Sequence, residues 1–183
     1  YVAGRGAAPN RAGIIEFDAA IMDGHGPRAG AVAAIRDVQS PITAARAVME
    51  RTPHVLLAGE GATAFAREAG LPAIGNAPDF FRLAVGVEPH ELATEGDSLA
   101  HGTVGAVALD RAGHFAAATS TGGLFGKRPG RVGDTPIPGA GTWADERIAI
   151  SCTGVGEHFI LAGGAADVAA RIRYAGMSPT QAA

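Results

Sequence analysis

Apolar and polar positions divide the chain into short runs separated by glycine- and proline-rich turns. Ile14 to Met22 and Ala29 to Val38 alternate or run apolar on either side of Asp23-Gly24-His25-Gly26-Pro27, which predicts two antiparallel strands. Before them, Tyr1 to Gly13 is rich in Gly and Ala and reads as loop. Ser40-Pro41 predicts a helix start, with the Ser40 hydroxyl as N-cap and proline at the first helical position, where no amide hydrogen is missed. Ile42, Ala45, Val48 and Met49 recur at helical spacing up to Arg51, so this helix is expected to lay one face on a sheet. His54 to Ala58 predicts a short strand, and Gly61 to Ala69 a helix stopped by Gly70. From Leu71 to Gly102 the pattern dissolves: Pro72, Pro78, Pro89 and several acidic residues leave no sustained period, which is the pattern of a linker.

The most regular stretch follows. Val104 to Leu109 and Phe115 to Thr119 are apolar runs flanking the polar turn Asp110-Arg111-Ala112-Gly113, the pattern of a buried hairpin. Thr103 stands at the entrance of the first strand, and the second runs out into Thr119-Ser120-Thr121 and Gly122-Gly123. Hydroxyls and flexible backbone therefore collect at one edge of the sheet. Gly122 to Gly141 reads as a Gly/Pro-rich loop carrying Arg131 and Asp134. Arg147 to Cys152 predicts a strand, and Glu157 to Tyr174 one helix with apolar Phe159, Ile160, Val168 and Ile172. Ser178-Pro179 repeats the helix-start signal four residues before the last residue, as in a chain cut short. The order of elements indicates an α+β sandwich.

Composition narrows this picture. With 183 residues, 47% of them hydrophobic and 18% charged, the chain is expected to fold as a single domain, residues 1–183, around one core. A net charge of -3 and a pI near 6.1 supply no basic field, which argues against a nucleic-acid partner. Apolar runs are interrupted well short of the roughly 20 residues a membrane-spanning helix needs. No basic and apolar leader follows Tyr1, and the lone Cys152 has no disulfide partner in the chain, so a cytoplasmic location is expected. Only 5% of residues are aromatic and 27 are Gly, so the core is expected to rest on Ala, Val, Ile and Leu.

Four segments, Gly102 to Asp110, Ala116 to Gly123, Pro129 to Asp134 and Ser151 to Glu157, occur in order, with Ile137-Pro138-Gly139-Ala140-Gly141 between the last two. Together they closely resemble the plant-type asparaginase and isoaspartyl peptidase family of N-terminal nucleophile hydrolases. The resemblance implies a four-layer αββα sandwich, here incomplete at both ends. It also implies autocatalytic cleavage between Gly102 and Thr103, giving an α part (1–102, with linker 71–102) and a β part (103–183), assembled as an (αβ)2 homo-oligomer. The implied activity is hydrolysis of L-asparagine or β-aspartyl dipeptides to L-aspartate without a cofactor; the family's sodium-binding loop lies upstream of the matching region. Where family members carry Asn-Ala-Gly this chain has Val2-Ala3-Gly4, Gly126 stands where asparagine is common, and Thr142-Trp143 replaces a frequent Cys-Tyr.

The chemistry of these residues is consistent with that implication. A threonine hydroxyl needs a neighbouring base, and a free α-amine on Thr103, with a reference pKa of about 7.7–8.0, would provide one within the same residue. Family likeness makes Thr103 the nucleophile, Thr121 its hydrogen-bond partner, and the Thr153 hydroxyl with the Gly154 amide the oxyanion hole. It places the substrate among Arg131, Val132, Gly133, Asp134, Thr153, Gly154, Val155 and Gly156. Arg131 offers a planar fork for a carboxylate and Asp134 an acceptor for an ammonium group. Each residue also has a plain alternative: Thr103 as an ordinary strand residue, Thr121 and Thr153 as strand-end caps, and Arg131 with Asp134 as a surface salt bridge.

Other functions are less well supported. The six histidines show no metal-ligand spacing, and His25, His90 and His114 read as solvated turn or linker residues, so no metal is expected. Gly122 to Arg128 has the wrong spacing for a phosphate loop. Gly59-Glu60-Gly61-Ala62-Thr63-Ala64, with Asp79 downstream, keeps a dinucleotide-binding module as an alternative. A glycosylasparaginase-like amidase and an aspartate-binding fragment without turnover also remain open.

Overall fold

The computed structural model describes residues 3–26, 28–82 and 102–183. Two strands, β1 (Phe17–Asp23) and β2 (Arg28–Ile35), form the predicted antiparallel pair, shorter than the apolar runs at their outer ends. They join β3 (Leu56–Ala58), β4 (Val104–Leu109) and β5 (Phe115–Thr121) in one sheet ordered β3-β2-β1-β5-β4. Among the described pairings of this sheet only β2–β3 is parallel, so the fold is a mixed α+β structure built on a mixed sheet. The centre strand β1 is covered on both faces, which its alternation makes possible. Phe17 and Ala19 pack with Val32, Ile35 and Val48 under the helices, whereas Met22 packs with Ala117 and Ala144 on the opposite face.

Helix α1 (Pro41–Arg51) matches the predicted span and buries Ala44, Ala45, Ala47 and Val48. The Ser40 hydroxyl does not cap it; it is hydrogen-bonded to the Thr43 hydroxyl at 2.7 Å instead. Gly30 in β2 lets the helix come close, because a Cβ there would collide with the Ala45 carbonyl oxygen and lie 2.6 Å from Met49 Cβ. Helix α2 (Gly59–Glu68) starts two residues earlier than predicted, directly after β3. What reads as linker is partly structured: a short helix α3 (Ala77–Phe80) forms, Leu71 and Ile74 pack on the core, and Phe81 stacks 6.1 Å from Phe17. The rest of that predicted linker, 83–101, and Val2 lie outside the described residues.

The face away from α1 carries the second layer. Strands β6 (Thr142–Ala144) and β7 (Ala149–Ser151) make a separate antiparallel pair over β5. The sequence pattern misses β6, which has three residues and follows a glycine-rich loop. The single helix predicted from Glu157 to Tyr174 is two, α4 (Gly156–Ala162) and α5 (Gly164–Ala175), because Gly163 adopts a left-handed conformation (φ 59°) and ends the first. A last short helix, α6 (Pro179–Ala182), is capped by the Gln181 side chain, whose Oε1 accepts the Ser178 amide at 3.1 Å.

The buried hairpin is only half buried. β5 buries Ala117, Thr119 and Thr121, but among the described strands β4 lies at the sheet edge and is exposed along its length, with Val107 57% and Leu109 60% accessible. An unbroken apolar run marks a strand fit for burial on both faces, but whether layers cover it is decided elsewhere in the chain.

Candidate active site

The register aligns the site. In β5 and β1, Thr121 is paired with Asp18, Thr119 with Ala20 and Ala117 with Met22, so these side chains share the face turned away from α1. Val104 pairs with Ser120, and extending that register by one residue sets Thr103 opposite Thr121. Thr103, Thr121 and Asp18 thus form a row across three neighbouring strands. The 122–141 loop closes over the end of this row.

Thr103, Thr121, Arg131, Asp134, Gly154 and Gly156 line one small cleft, together with Gly102 and Gly133. Val132 and Val155 are not among its lining residues. Thr153 borders an adjoining groove with Ser151 and Cys152, and Thr103 lines both hollows. Gly102 is buried and Thr103 half-buried. The Thr121 hydroxyl accepts the Gly123 amide at 3.1 Å, which fixes the position of its oxygen. Behind the row, Thr142 donates to Thr119 at 2.7 Å and Thr119 is hydrogen-bonded to Ser151 at 2.8 Å, tying the small sheet to the large one.

Arg131 and Asp134 are not a surface salt bridge. Arg131 is engaged along one edge by Glu157, with Nε and Nη2 donating to the two carboxylate oxygens at 2.9 Å each. This bidentate pair holds the Glu157 carboxyl below its ordinary range. Asp134 is only 5% exposed, and its Oδ2 has no hydrogen-bond partner among the described residues. Burial pushes its carboxyl above the usual range, while the nearby Arg131 charge pulls it down. Two glycines make room for that carboxylate. A Cβ on Gly156 would stand 2.8 Å from Asp134 Oδ1 and 3.1 Å from Arg131 Nη2, and one on Gly141 would stand 2.7 Å from Oδ2. Cys152 beside the cleft is disfavoured as a thiolate, since burial and the Asp134 charge both raise its pKa.

Sequence reasoning missed the support of this site. Glu157 closes the fourth resembling segment, but its ion pair with Arg131 spans 26 positions and leaves no local pattern. Lys127, weighed only within a phosphate loop, points inward: it is 5% exposed and its Nζ donates to the Glu16 carbonyl at 3.1 Å. Gly59 and Gly61 lie within the first turn of α2 rather than in a loop that could wrap a pyrophosphate, and Asp79 is hydrogen-bonded to Asn76 on α3. His25 and His114 stack at 3.8 Å; His90 lies outside the described residues. Among the described residues no cluster of His, Cys, Asp and Glu is arranged to hold a metal, and no helix is long and apolar enough to cross a membrane.

The fold and cleft define an α+β protein that gathers a threonine hydroxyl, a fixed arginine and a buried carboxylate around one small polar hollow. A family model described as asparaginase matches residues 1–85 and 78–183, and the chain belongs to that family. It is similar to an isoaspartyl peptidase of Salmonella typhimurium, 46% identical over 192 aligned positions that cover 97% of this chain and 61% of the relative. A plant-type L-asparaginase of Pyrobaculum calidifontis is 47% identical over 88% of this chain and 56% of the relative. A probable isoaspartyl peptidase/L-asparaginase of Arabidopsis thaliana is 39% identical over all of this chain and 65% of the relative. The chain thus spans less than two thirds of the length of these relatives.

Proposed function

We propose that this chain carries the catalytic centre of a threonine-nucleophile amidohydrolase that releases L-aspartate from L-asparagine or β-aspartyl dipeptides. The observation that carries the reading is the shared cleft. Thr103 stands in it beside the buried, half-satisfied carboxylate of Asp134 and the edge of Arg131 that Glu157 does not engage. An aspartyl group has an α-ammonium that needs an acceptor and an α-carboxylate that needs a planar donor pair, and Asp134 and Arg131 supply them. With both anchored, the side-chain amide carbon of the substrate is presented to the Thr103 hydroxyl.

In the proposed cycle, the Gly102–Thr103 bond is first cut by the same hydroxyl, freeing the Thr103 amine. The amine takes the hydroxyl proton as oxygen attacks the amide carbon, and it returns that proton to the leaving amine. The Gly154 amide, with Thr153 reached across Thr103, would stabilise the oxyanion, and Thr121 would orient the nucleophile. Water then hydrolyses the acyl-enzyme and releases L-aspartate. Nucleophile and base come from one residue, so no cofactor is required. The cut would yield an α part ending at Gly102 and a β part beginning at Thr103. We extend the proposal to a single four-layer αββα domain and an (αβ)2 assembly, the arrangement the sequence resemblance implies.

Mass spectrometry of the purified chain, with a coupled assay for aspartate release, tests this reading. The expected result is two pieces beginning at Tyr1 and Thr103, one uncut piece for Thr103→Ala, and no aspartate release by that variant. A Thr103→Ala protein that still hydrolysed β-aspartyl dipeptides would overturn the nucleophile assignment.

A further inference from the structure

Beneath the cleft lies a set of buried charges that the proposed chemistry does not use. Asp18 is fully buried on the centre strand, in the same row as Thr103 and Thr121. Its Oδ1 accepts the Ala34 amide at 2.8 Å. Ala34 belongs to a bulge: Phe17 pairs with Ile35 and Ala19 with Val32, so two residues of β2 face Asp18 alone. At that bulge Ala34 has φ 49°, a conformation costly for a residue with a Cβ, and the Asp18 hydrogen bond holds it there. Asp18 Oδ2 has no hydrogen-bond partner among the described residues; burial pushes this carboxyl above its usual range, while the Lys127 charge, the Ala34 and Gly133 amides and the Arg131 charge pull it back down.

Lys127 completes the arrangement. It is buried between the Asp18 and Glu16 charges, and its side chain fills the space beside Gly123, where a Cβ would stand 2.7 Å from Nζ. Glu16, itself 2% exposed, accepts from Asn10, Arg36 and the Gly130 amide. The loop that carries Arg131 and Asp134 is therefore held from below at Lys127 and Gly130 by Glu16, immediately before β1, with the Asp18 carboxyl two residues further on acting on the Gly133 amide.

We infer that Asp18 is a positioning residue of this site: together with Lys127 it sets the Arg131-to-Asp134 turn in register with the threonine row, and so governs substrate binding rather than the chemical step. A carboxylate is suited to this because one oxygen accepts the Ala34 amide while the other is left, buried, to act electrostatically on the Gly133 amide and the Lys127 ammonium. An amide in its place would turn an NH2 group toward one of these donors.

The inference rests on the amidohydrolase reading for its kinetic consequence, but its structural consequence is independent of it. Asp18→Asn is expected to raise KM for a β-aspartyl dipeptide about tenfold or more, the loss of one charge-assisted hydrogen bond, with kcat changed less than about threefold. In the unliganded protein, NMR hydrogen exchange is expected to speed up at the Gly133 amide and not at the Ala47 amide of α1. If Asp18→Asn does not fold, the charge-balanced Asp18→Asn/Lys127→Met variant is measured in the same two assays and is expected to show the same pattern. Wild-type KM and wild-type Gly133 exchange in a folded variant would overturn the inference, as would an equal loss of kcat. If the unaltered chain neither hydrolyses the dipeptide nor binds L-aspartate, the amidohydrolase reading fails, and the Gly133 exchange rate alone decides the role of Asp18.

Discussion

Replacing Arg131 by alanine separates substrate recognition from folding. Glu157 already occupies the Nε and Nη2 edge of the guanidinium, so a substrate carboxylate would have to take the other edge. A hydrogen bond to a charged group contributes about 1.5–3 kcal/mol. The Arg131 side chain is 16% exposed, so water weakens the contact and the lower half of that range applies. A loss of about 1.5–2.3 kcal/mol corresponds to a rise of about ten- to fiftyfold in KM. Stability should change little, because Glu157 is half exposed and water replaces its lost partner; the pair contributes about 0–1 kcal/mol. Arg131→Lys keeps the charge but loses the planar fork and should fall between the two proteins. Initial rates of aspartate release over a full substrate range give KM and kcat, and mass spectrometry reports whether the Gly102–Thr103 bond is still cut. An unchanged KM in a folded, processed Arg131→Ala protein would refute the recognition argument.

Asp134→Asn should abolish binding of L-aspartate, seen as loss of its thermal shift, while raising the melting temperature of the unliganded protein. The wild-type carboxyl is raised above its unfolded value by burial, so the unfolded chain ionises first and stability falls as pH rises through that interval. The gain from asparagine should therefore be complete above the raised folded-state pKa and vanish below about pH 4, where Asp134 is neutral in both states; a gain that persisted at pH 3 would contradict the burial argument. Gly156→Ala should raise KM more than tenfold and destabilise the protein by about 1–3 kcal/mol, read from kinetics and urea unfolding, because the new Cβ meets Asp134 and Arg131 together; unaltered kinetics would show that the cleft tolerates their displacement.

The sequence by itself determined the elements whose causes are local. Helix α1 follows from Pro41 and a 3.6-residue apolar period, the β4–β5 hairpin from two apolar runs about a polar turn, and the loop after Thr121 from its glycines and prolines. Thr103, Thr121, Arg131 and Asp134, marked by consecutive sequence segments, do line one cleft, since strand register sets Thr103 beside Thr121 and the loop that follows carries Arg131 and Asp134 back to them. Tertiary structure decided the rest. Whether β4 is covered depends on which layers reach the edge of the sheet, and the apolar run reads the same either way. Helices α4 and α5 part at Gly163, because a helical period survives a break of one residue in the left-handed region. The partners that fix the site, Glu157 on Arg131 and Asp18 and Lys127 under the loop, are joined across 26 to more than a hundred positions. No local spacing encodes such contacts; they exist only once the sheet has set β1 beside β5 and the 122–141 loop over both.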